Sequence, residues 1–193
     1  MTDKKSNINF YETDVFDIDS YIDTKKNGTI KIFDLITFGQ ALHWFDEEKI
    51  FPFLQKILKD DGTVGIIGYK KQHFLNSDPL YQVFEEYINL LRPNFECDID
   101  NNDNDYYKFN FKKYFEKREV KHFNEESTIS LNQFINFLQS WSGYYNYKKE
   151  KNEDPLIKFR AECKEILKSD DDDDEIKINF YNFYFVIILH KLK

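Results

Sequence analysis

The segment from Lys31 to Tyr69 constrains the fold most, because it contains two apolar runs separated by an amphipathic pattern. The first run begins just before this segment, at Ile30, and ends at Phe38, and the second extends from Val64 to Ile67. Continuous apolar runs are typical of strands that are covered on both faces of a sheet, and such strands are usually parallel. The segment therefore predicts a strand, a helix and a second, parallel strand.

The residues between the two runs show helical spacing, with apolar side chains at Ile50, Phe53, Leu54, Ile57 and Leu58. This spacing places them on one face of a helix. We expect Asp46 to cap the N-terminus of the helix and Asp61-Gly62 to end it. Because a proline in the interior of a helix removes a hydrogen bond, the continuous helix is expected to begin near Phe51, with Pro52 in its first turn.

The rest of the chain contains helix-start signals and runs of β-forming residues. They predict a strand near Ile8 to Glu12, a helix from Asp78-Pro79, a strand within Tyr114 to Phe123, a helix from the capping box Ser130 to Gln133 up to Gly143, a helix from Asp154-Pro155, and a strand from Ile178 to Leu189. With 193 residues, the chain suits a single domain.

Composition excludes several classes of partner. The net charge of −8 and the absence of a clustered basic run argue against nucleic acid. Residues 106–123 alternate aromatic and basic side chains that could stack single-stranded bases, but no glycine-bearing RNA-binding signature accompanies them. Cys97 and Cys163 belong to no metal-binding pattern, so we expect no metal site and two reduced thiols in a cytoplasmic protein. No signal peptide or membrane-spanning run is predicted.

In open α/β sheets a ligand lies beyond the carboxyl ends of the strands, so the segment that leaves the first strand, Phe38 to Trp44, is the candidate site. His43 lies in this segment, and a histidine there could orient a substrate carboxylate or act as a base near neutral pH. It could also be a structural histidine that packs beside Trp44.

Three runs in two separated parts of the chain resemble one enzyme family. The run FDLITFGQALHWFD, which starts at Phe33, and the later ILKDDGTVGIIGY resemble the middle of class I S-adenosylmethionine-dependent methyltransferases. The similarity is greatest to the small-molecule branch that includes trans-aconitate methyltransferases. Downstream, the segment from Leu138 to Tyr144 resembles the Ser-Trp-Ser motif of the same branch.

The resemblance implies an α/β fold, a doubly wound Rossmann-like sheet with seven strands in the order 3-2-1-4-5-7-6. The strands predicted above match strands 3 to 7, and strands 1 and 2, with their Gly-rich motif, have no counterpart. We therefore expect an incomplete sheet, mostly parallel, with an antiparallel C-terminal hairpin. Residues 1–193 would form one truncated domain, with residues 8–69 on the cofactor side and residues 70–193 supplying the substrate-side helices and the last two strands.

The resemblance also implies S-adenosyl-L-methionine as the cofactor. Asp14 and Val15 match the pair that follows strand 3 and contacts adenine, and Gln40 and Ala41 match the start of the loop after strand 4. A lone aspartate at this kind of position is also typical of a turn or a helix cap, so Asp14 has a structural alternative.

The implied reaction is methyl transfer to a small-molecule acceptor, which could be a carboxylate. His43 is the candidate catalytic residue, and His43, Trp44 and Trp141 are expected to line the substrate pocket. Trp141 has the alternative of a core residue. Without the Gly-rich loop, the chain could instead be a non-catalytic pseudoenzyme that pairs with a complete methyltransferase, as a homo- or hetero-oligomer.

Overall fold

The computed structural model describes residues 10–20, 33–74, 77–97, 99, 104–106 and 108–191. Five strands and five α-helices fall in these ranges. The strands are β1 (Phe33–Gly39), β2 (Leu58–Tyr69), β3 (His73–Phe74), β4 (Phe115–Ser130) and β5 (Lys177–Lys191). The helices are α1 (Glu47–Ile57), α2 (Asp78–Leu91), α3 (Leu131–Gln139), α4 (Ser142–Lys151) and α5 (Pro155–Leu167).

The predicted strand-helix-strand unit is confirmed. β1 and β2 are parallel, with Ile36 opposite Val64 and Phe38 opposite Ile66. α1 connects them and buries its apolar face, on which Ile50 and Leu54 are almost inaccessible to solvent. Burial of this face against the two strands supplies most of the local stability, because apolar area removed from water contributes about 25 cal/mol per Å².

The bounds of α1 differ from the prediction at both ends. The Asp46 cap is confirmed, since its carboxylate accepts a hydrogen bond from the Glu48 amide at 2.9 Å. Because Asp46 caps the helix more than one turn before Pro52, the helix starts at Glu47 and not near Phe51. The helix ends at Ile57, since the backbone of Leu58 is extended and begins β2. Asp61-Gly62 therefore lies inside the strand.

The sheet has the order β1-β2-β5-β4, and β3 extends the β2 side of β5. This order agrees with the order 4-5-7-6 that the resemblance predicts. The antiparallel C-terminal hairpin is confirmed, since β4 and β5 pair antiparallel from Phe115 opposite Lys191 to Ser130 opposite Lys177. A mostly parallel sheet is wrong for the described strands: β1 with β2 is parallel, whereas β5 is antiparallel to all three of its partners.

The strand predicted near Ile8 to Glu12 is wrong for residues 10–12, which have no regular structure, and residues 8–9 lie outside the described ranges. A 3₁₀ helix, Val15–Ser20, follows. The Asp14 carboxylate accepts from the Phe16 amide at 2.9 Å, and its carbonyl accepts from the Asp17 amide at 3.0 Å. Asp14 therefore turns the backbone at the point where a strand would have to continue.

β5 joins two apolar cores. Ile178 and Phe180 near its start pack among α2, α3 and α5, in what we call the helical core. Phe185, Ile187 and Leu189 near its end pack with α1, β1 and β2 in the sheet core. Successive side chains of a strand point to opposite faces of the sheet. The helical core contains even-numbered residues of β5 and the sheet core contains odd-numbered ones, so the two cores lie on opposite faces.

The helical half mostly follows its sequence signals. The capping box of Ser130 and Gln133 and the Asp154 cap are both formed. Gly143 does not close α3, which ends at Gln139, and it lies instead in the first turn of α4. A Cβ atom there would come within 2.7 Å of the Phe95 ring, so close packing accounts for the glycine. In the described part of the chain, no helix is long and apolar enough to cross a membrane.

Candidate functional site

A cavity of about 380 Å³ lies beyond the carboxyl ends of β1 and β2, beside the helical core. Four separate stretches of chain form its wall. They are Gln40, His43 and Trp44 after β1; residues 69–72 after β2; Ile88, Arg92, Phe95, Cys97 and Ile99 in and after α2; and residues 140–142 between α3 and α4. The cavity thus brings together the two sequence segments that resemble the methyltransferases.

Gln40 is held in an unusual conformation at the end of β1. Its φ of 48° lies in the left-handed region, which costs a non-glycine residue energy and is often found at binding sites. Its amide N–H donates to the Ile67 carbonyl at 2.9 Å, and its side-chain amide lies 3.4 Å from the Tyr69 carbonyl. The side-chain oxygen Oε1 is buried without a hydrogen-bond donor in the described structure. A bound donor would satisfy it.

His43 and Trp44 lie on a single 3₁₀ turn, Leu42–Trp44, which is anchored by the fully buried Leu42. The Nδ1 atom of His43 is 3.1 Å from the hydroxyl oxygen of Tyr106, and the two rings stack with an interplanar angle of 11°. The His43 ring also lies 5.4 Å from the Trp44 ring, whose side chain is 51% exposed. His43 therefore has the features of a site residue, since it lines the cavity, and also those of a structural histidine, since it packs beside Trp44.

Trp141 likewise has two surroundings. Its ring packs edge-on against Phe137 at 5.6 Å and lies 6.2 Å from Phe84 of the helical core. It is also part of the cavity wall, together with Ser140 and Ser142. A rigid aromatic side chain that is fixed on its core side and open on the other is well suited to form the wall of a binding site.

The cavity wall is positively charged although the chain is acidic. Lys70, Lys71 and Arg92 line it, and the lining residues within the described ranges include no aspartate or glutamate. Lys70 pairs with Asp105 at 2.9 Å and Lys71 pairs with Glu85, both of which lie outside the wall. Two of the three cations are thus balanced by carboxylates behind the wall, and all three still offer N–H donors to an anionic group, in a partly buried cleft where charges are less screened than on the open surface.

Asp105 stays ionised in this arrangement. Burial alone would raise the pKa of its carboxyl group, but hydrogen bonds from Lys70 and His122 outweigh burial and lower that pKa. The His122 bond is 2.8 Å long, and the Arg118 guanidinium donates to the Asp105 carbonyl at 2.9 Å. The backbone at residue 105 is thereby fixed beside the cavity.

The structure brings four of the predicted site residues together: Gln40, His43, Trp44 and Trp141. It does not bring Asp14, Val15 or Ala41 into the cavity wall. Val15 and Ala41 pack against the sheet core. Asp14 caps the turn that follows it, which agrees with its alternative interpretation as a turn or cap residue.

Four residues near the cavity were missed by sequence reasoning, namely Lys70, Lys71, Arg92 and Tyr106. Lys70 and Lys71 carry a usable signal, because they directly follow the second buried strand, where the carboxyl-end rule applies equally. Tyr106 carries none, since it follows an acidic, low-complexity stretch. In the described ranges, no group of three or more His, Cys, Asp or Glu side chains could hold a metal ion.

The sheet order and the position of the cavity define a methyltransferase-like α/β fold with a mixed sheet. A solved structure from Anaeromyxobacter dehalogenans, provisionally assigned as a type II methyltransferase, superposes with a TM-score of 0.63. The match covers 84% of this chain and 66% of that chain at 16% identity. At such low identity, the likeness establishes the fold alone.

Two relatives extend the likeness to the sequence. A protein of Dictyostelium discoideum, provisionally named a methyltransferase, is 28% identical over 149 residues, which are 76% of this chain. A Saccharomyces cerevisiae protein, provisionally named an S-adenosylmethionine-dependent methyltransferase, is 25% identical over 79% of this chain. The chain spans only 56% and 62% of the lengths of these two relatives. No protein-family profile matches the chain.

Proposed function

We propose that the chain is a methyltransferase that uses S-adenosyl-L-methionine and acts on a small molecule with an anionic group, such as a carboxylate. The observation that supports this proposal is the convergence of two sequence segments, around Gln40 to Trp44 and around Trp141, on one cavity of a methyltransferase-like sheet. The relatives named as methyltransferases point in the same direction.

Size and chemistry fit such a ligand. The cavity volume of about 380 Å³ lies within the usual range for small-molecule sites, roughly 300 to 1,000 Å³. The orphaned Oε1 of Gln40 supplies an acceptor for a donor group of the cofactor. When bound, S-adenosyl-L-methionine supplies an activated methyl group. In this proposal Gln40 holds the cofactor in the cavity, and the roles predicted for Ala41, Asp14 and Val15 require the cofactor to extend beyond the cavity wall, since none of the three lines it.

The residues of the chain contribute mainly orientation. Lys70, Lys71 and Arg92 would bind the anionic group of the acceptor, and Trp44 and Trp141 would exclude water from the cleft. Fixing two reactants in a productive geometry is worth up to about 7–11 kcal/mol of the barrier. His43 would contact the acceptor from the same wall.

Isothermal titration with S-adenosylhomocysteine tests the proposal, with tryptophan fluorescence as a second signal. We expect saturable binding, and we expect Gln40→Leu to weaken it by about tenfold, the loss expected for one buried hydrogen bond. Gln55→Leu is the matched control, since Gln55 donates to the Tyr114 carbonyl at 2.8 Å and does not line the cavity. Absence of heat at millimolar ligand would contradict the cofactor role.

A second candidate is a non-catalytic partner of a complete methyltransferase. In the described part of the chain, no strand pairs with the outer edge of β1, and Leu35 on that strand is 57% exposed. An open strand edge is a ready surface for pairing with another chain. Sedimentation velocity of the chain, alone and mixed with the longer Dictyostelium relative, tests this candidate. It predicts a complex that Leu35→Lys weakens, together with no binding of S-adenosylhomocysteine by the chain alone.

A further inference from the structure

The contact between Tyr106 and His43 determines more than the position of the His43 ring. Tyr106 is completely buried, its ring packs edge-on against Phe109 and Phe185, and its side chain takes no part in the cavity wall. Its hydroxyl oxygen lies 3.1 Å from Nδ1 of His43. One ring nitrogen of His43 is therefore directed into the protein, while the residue as a whole lines the cavity.

The direction of this hydrogen bond follows from the burial of the hydroxyl group. Burial raises the pKa of Tyr106, so the hydroxyl group keeps its proton at neutral pH. That proton needs an acceptor, and among the contacts described for Tyr106 the acceptor is Nδ1 of His43.

The opposite direction would be unfavourable. If Nδ1 carried the ring proton, it would donate to the Tyr106 oxygen. The buried hydroxyl proton would then have no acceptor among the described contacts. A buried donor without a partner is rare in folded proteins, because the protein gives up its hydration without a replacement.

We propose that Tyr106 is a positioning residue that holds His43 in the tautomer with the proton on Nε2, so that His43 acts on a cavity ligand as a hydrogen-bond donor. The inference rests on the proposed function only for the nature of that ligand, an anionic acceptor. A donor at this point agrees with the described part of the wall, where Lys70, Lys71 and Arg92 also present N–H groups and no carboxylate is found. In this tautomer the lone pair of the ring is on Nδ1, which faces Tyr106, so His43 presents no base to the cavity ligand.

The backbone around Tyr106 is built to keep this geometry. Asp105 and Tyr106 have φ values of 53° and 54°, in the left-handed region that non-glycine residues avoid. Asp105 is held there by Lys70, by His122 and, through its carbonyl, by Arg118. The same aspartate therefore secures a cation of the cavity wall and the turn that directs Tyr106 at His43.

The tautomer can be read directly from long-range ¹H–¹⁵N spectra of protein labelled with ¹⁵N-histidine, recorded at about pH 8, where imidazoles are mostly neutral. The chain has four histidines, so a His43→Gln variant identifies the His43 signals. We expect a single form that is protonated at Nε2. In Tyr106→Phe, we expect the Nδ1 resonance to move downfield, as it does when an acceptor nitrogen loses its donor, and the Nδ1-protonated form to appear.

Tyr87→Phe is the matched control. Tyr87 is also a buried tyrosine, but its hydroxyl has no hydrogen-bond partner in the described structure and it belongs to the helical core. Its loss should leave the His43 signals unchanged. A wild-type His43 protonated at Nδ1, or a Tyr106→Phe spectrum identical to the wild type, would overturn the inference. The wild-type spectrum decides alone if Tyr106→Phe does not fold.

Failure of the proposed function would look different. If S-adenosylhomocysteine does not bind but His43 is protonated at Nε2 and responds to Tyr106→Phe, the methyltransferase proposal fails and the positioning role stands. If the ligand binds but His43 is protonated at Nδ1, the positioning role fails alone.

Discussion

Gly68 links the core of the protein to the cavity, and replacing it tests how tightly the two are coupled. Gly68 of β2 lies directly opposite Phe185 of β5 in the sheet. A Cβ atom at this position would lie 2.3 Å from Cζ and 2.6 Å from Cε1 of the Phe185 ring, and 2.9 Å from Oε1 of Gln40. Phe185 is completely buried, so its ring has no free space into which it can turn.

The expected cost follows from these distances. Ordinary contacts begin at 3.4 Å, so the Phe185 ring would have to retreat by about 1 Å in Gly68→Ala. Forcing an extra methyl group into a packed core costs about 1–3 kcal/mol. Loss of glycine's freedom in the unfolded chain offsets about 0.4–1 kcal/mol of this. We expect a net loss of about 1–2 kcal/mol, or roughly 2–8 °C in Tm for a chain of this size.

Gly65→Ala is the control, because Gly65 lies on the same strand and a Cβ atom there would meet its nearest neighbour, Cγ2 of Thr37, at an ordinary 3.6 Å. This variant should equal or exceed the wild type in stability. Urea unfolding followed by circular dichroism measures both variants. Gly68→Ala should also weaken S-adenosylhomocysteine binding, since Gln40 has to move. Equal unfolding midpoints for the two variants would refute the packing argument.

Two further outcomes follow from the charges and thiols. Because the folded pKa of Asp105 is lowered, its pairs with Lys70 and His122 stabilise the protein above the unfolded pKa of about 3.9, and this stability is lost as the pH falls through the folded value. Asp105→Asn should lower the free energy of unfolding by about 1 kcal/mol at pH 7. Below about pH 5, the urea midpoint of the variant should fall less steeply with pH than that of the wild type. Parallel curves of urea midpoint against pH for the two proteins would contradict this. Burial raises the pKa of Cys163 to about 12, so in the native protein a thiol reagent should modify Cys97 in the cavity wall and spare Cys163 until urea is added. S-adenosylhomocysteine should slow the Cys97 reaction, and equal native rates for both thiols would be the contrary result.

The central strand-helix-strand unit could be predicted because its signals are local. Two apolar runs, one helical stripe and the Asp46 cap are all read within a few residues of the structure that they specify. The start of α1 was wrong because Pro52 was given more weight than that cap. The end of α1 was wrong because Leu58 completes the helical stripe by its spacing but begins β2 in the structure.

The candidate site was only half predictable, for a non-local reason. The carboxyl-end rule located Gln40 and His43, which follow a buried strand. Their meeting with Trp141 depends on the antiparallel register of β2 with β5 and on the packing of α2 against α4. Tyr106 reaches His43 from the start of residues 106–123, and the alternating aromatic and basic side chains of that segment do not indicate a contact with the loop after β1.

The place of β5 in the sheet also sets the order in which the protein can fold. β5 separates β2 from β4, yet it follows all the other described strands in sequence, so neither neighbour has its full hydrogen-bond partners until β5 has been synthesised. Contacts of such long sequence separation form slowly. While the ribosome synthesises the intervening helices, one edge of the apolar strand β2 is unpaired. We expect the nascent chain to be most prone to aggregation, and to need chaperones most, in that interval.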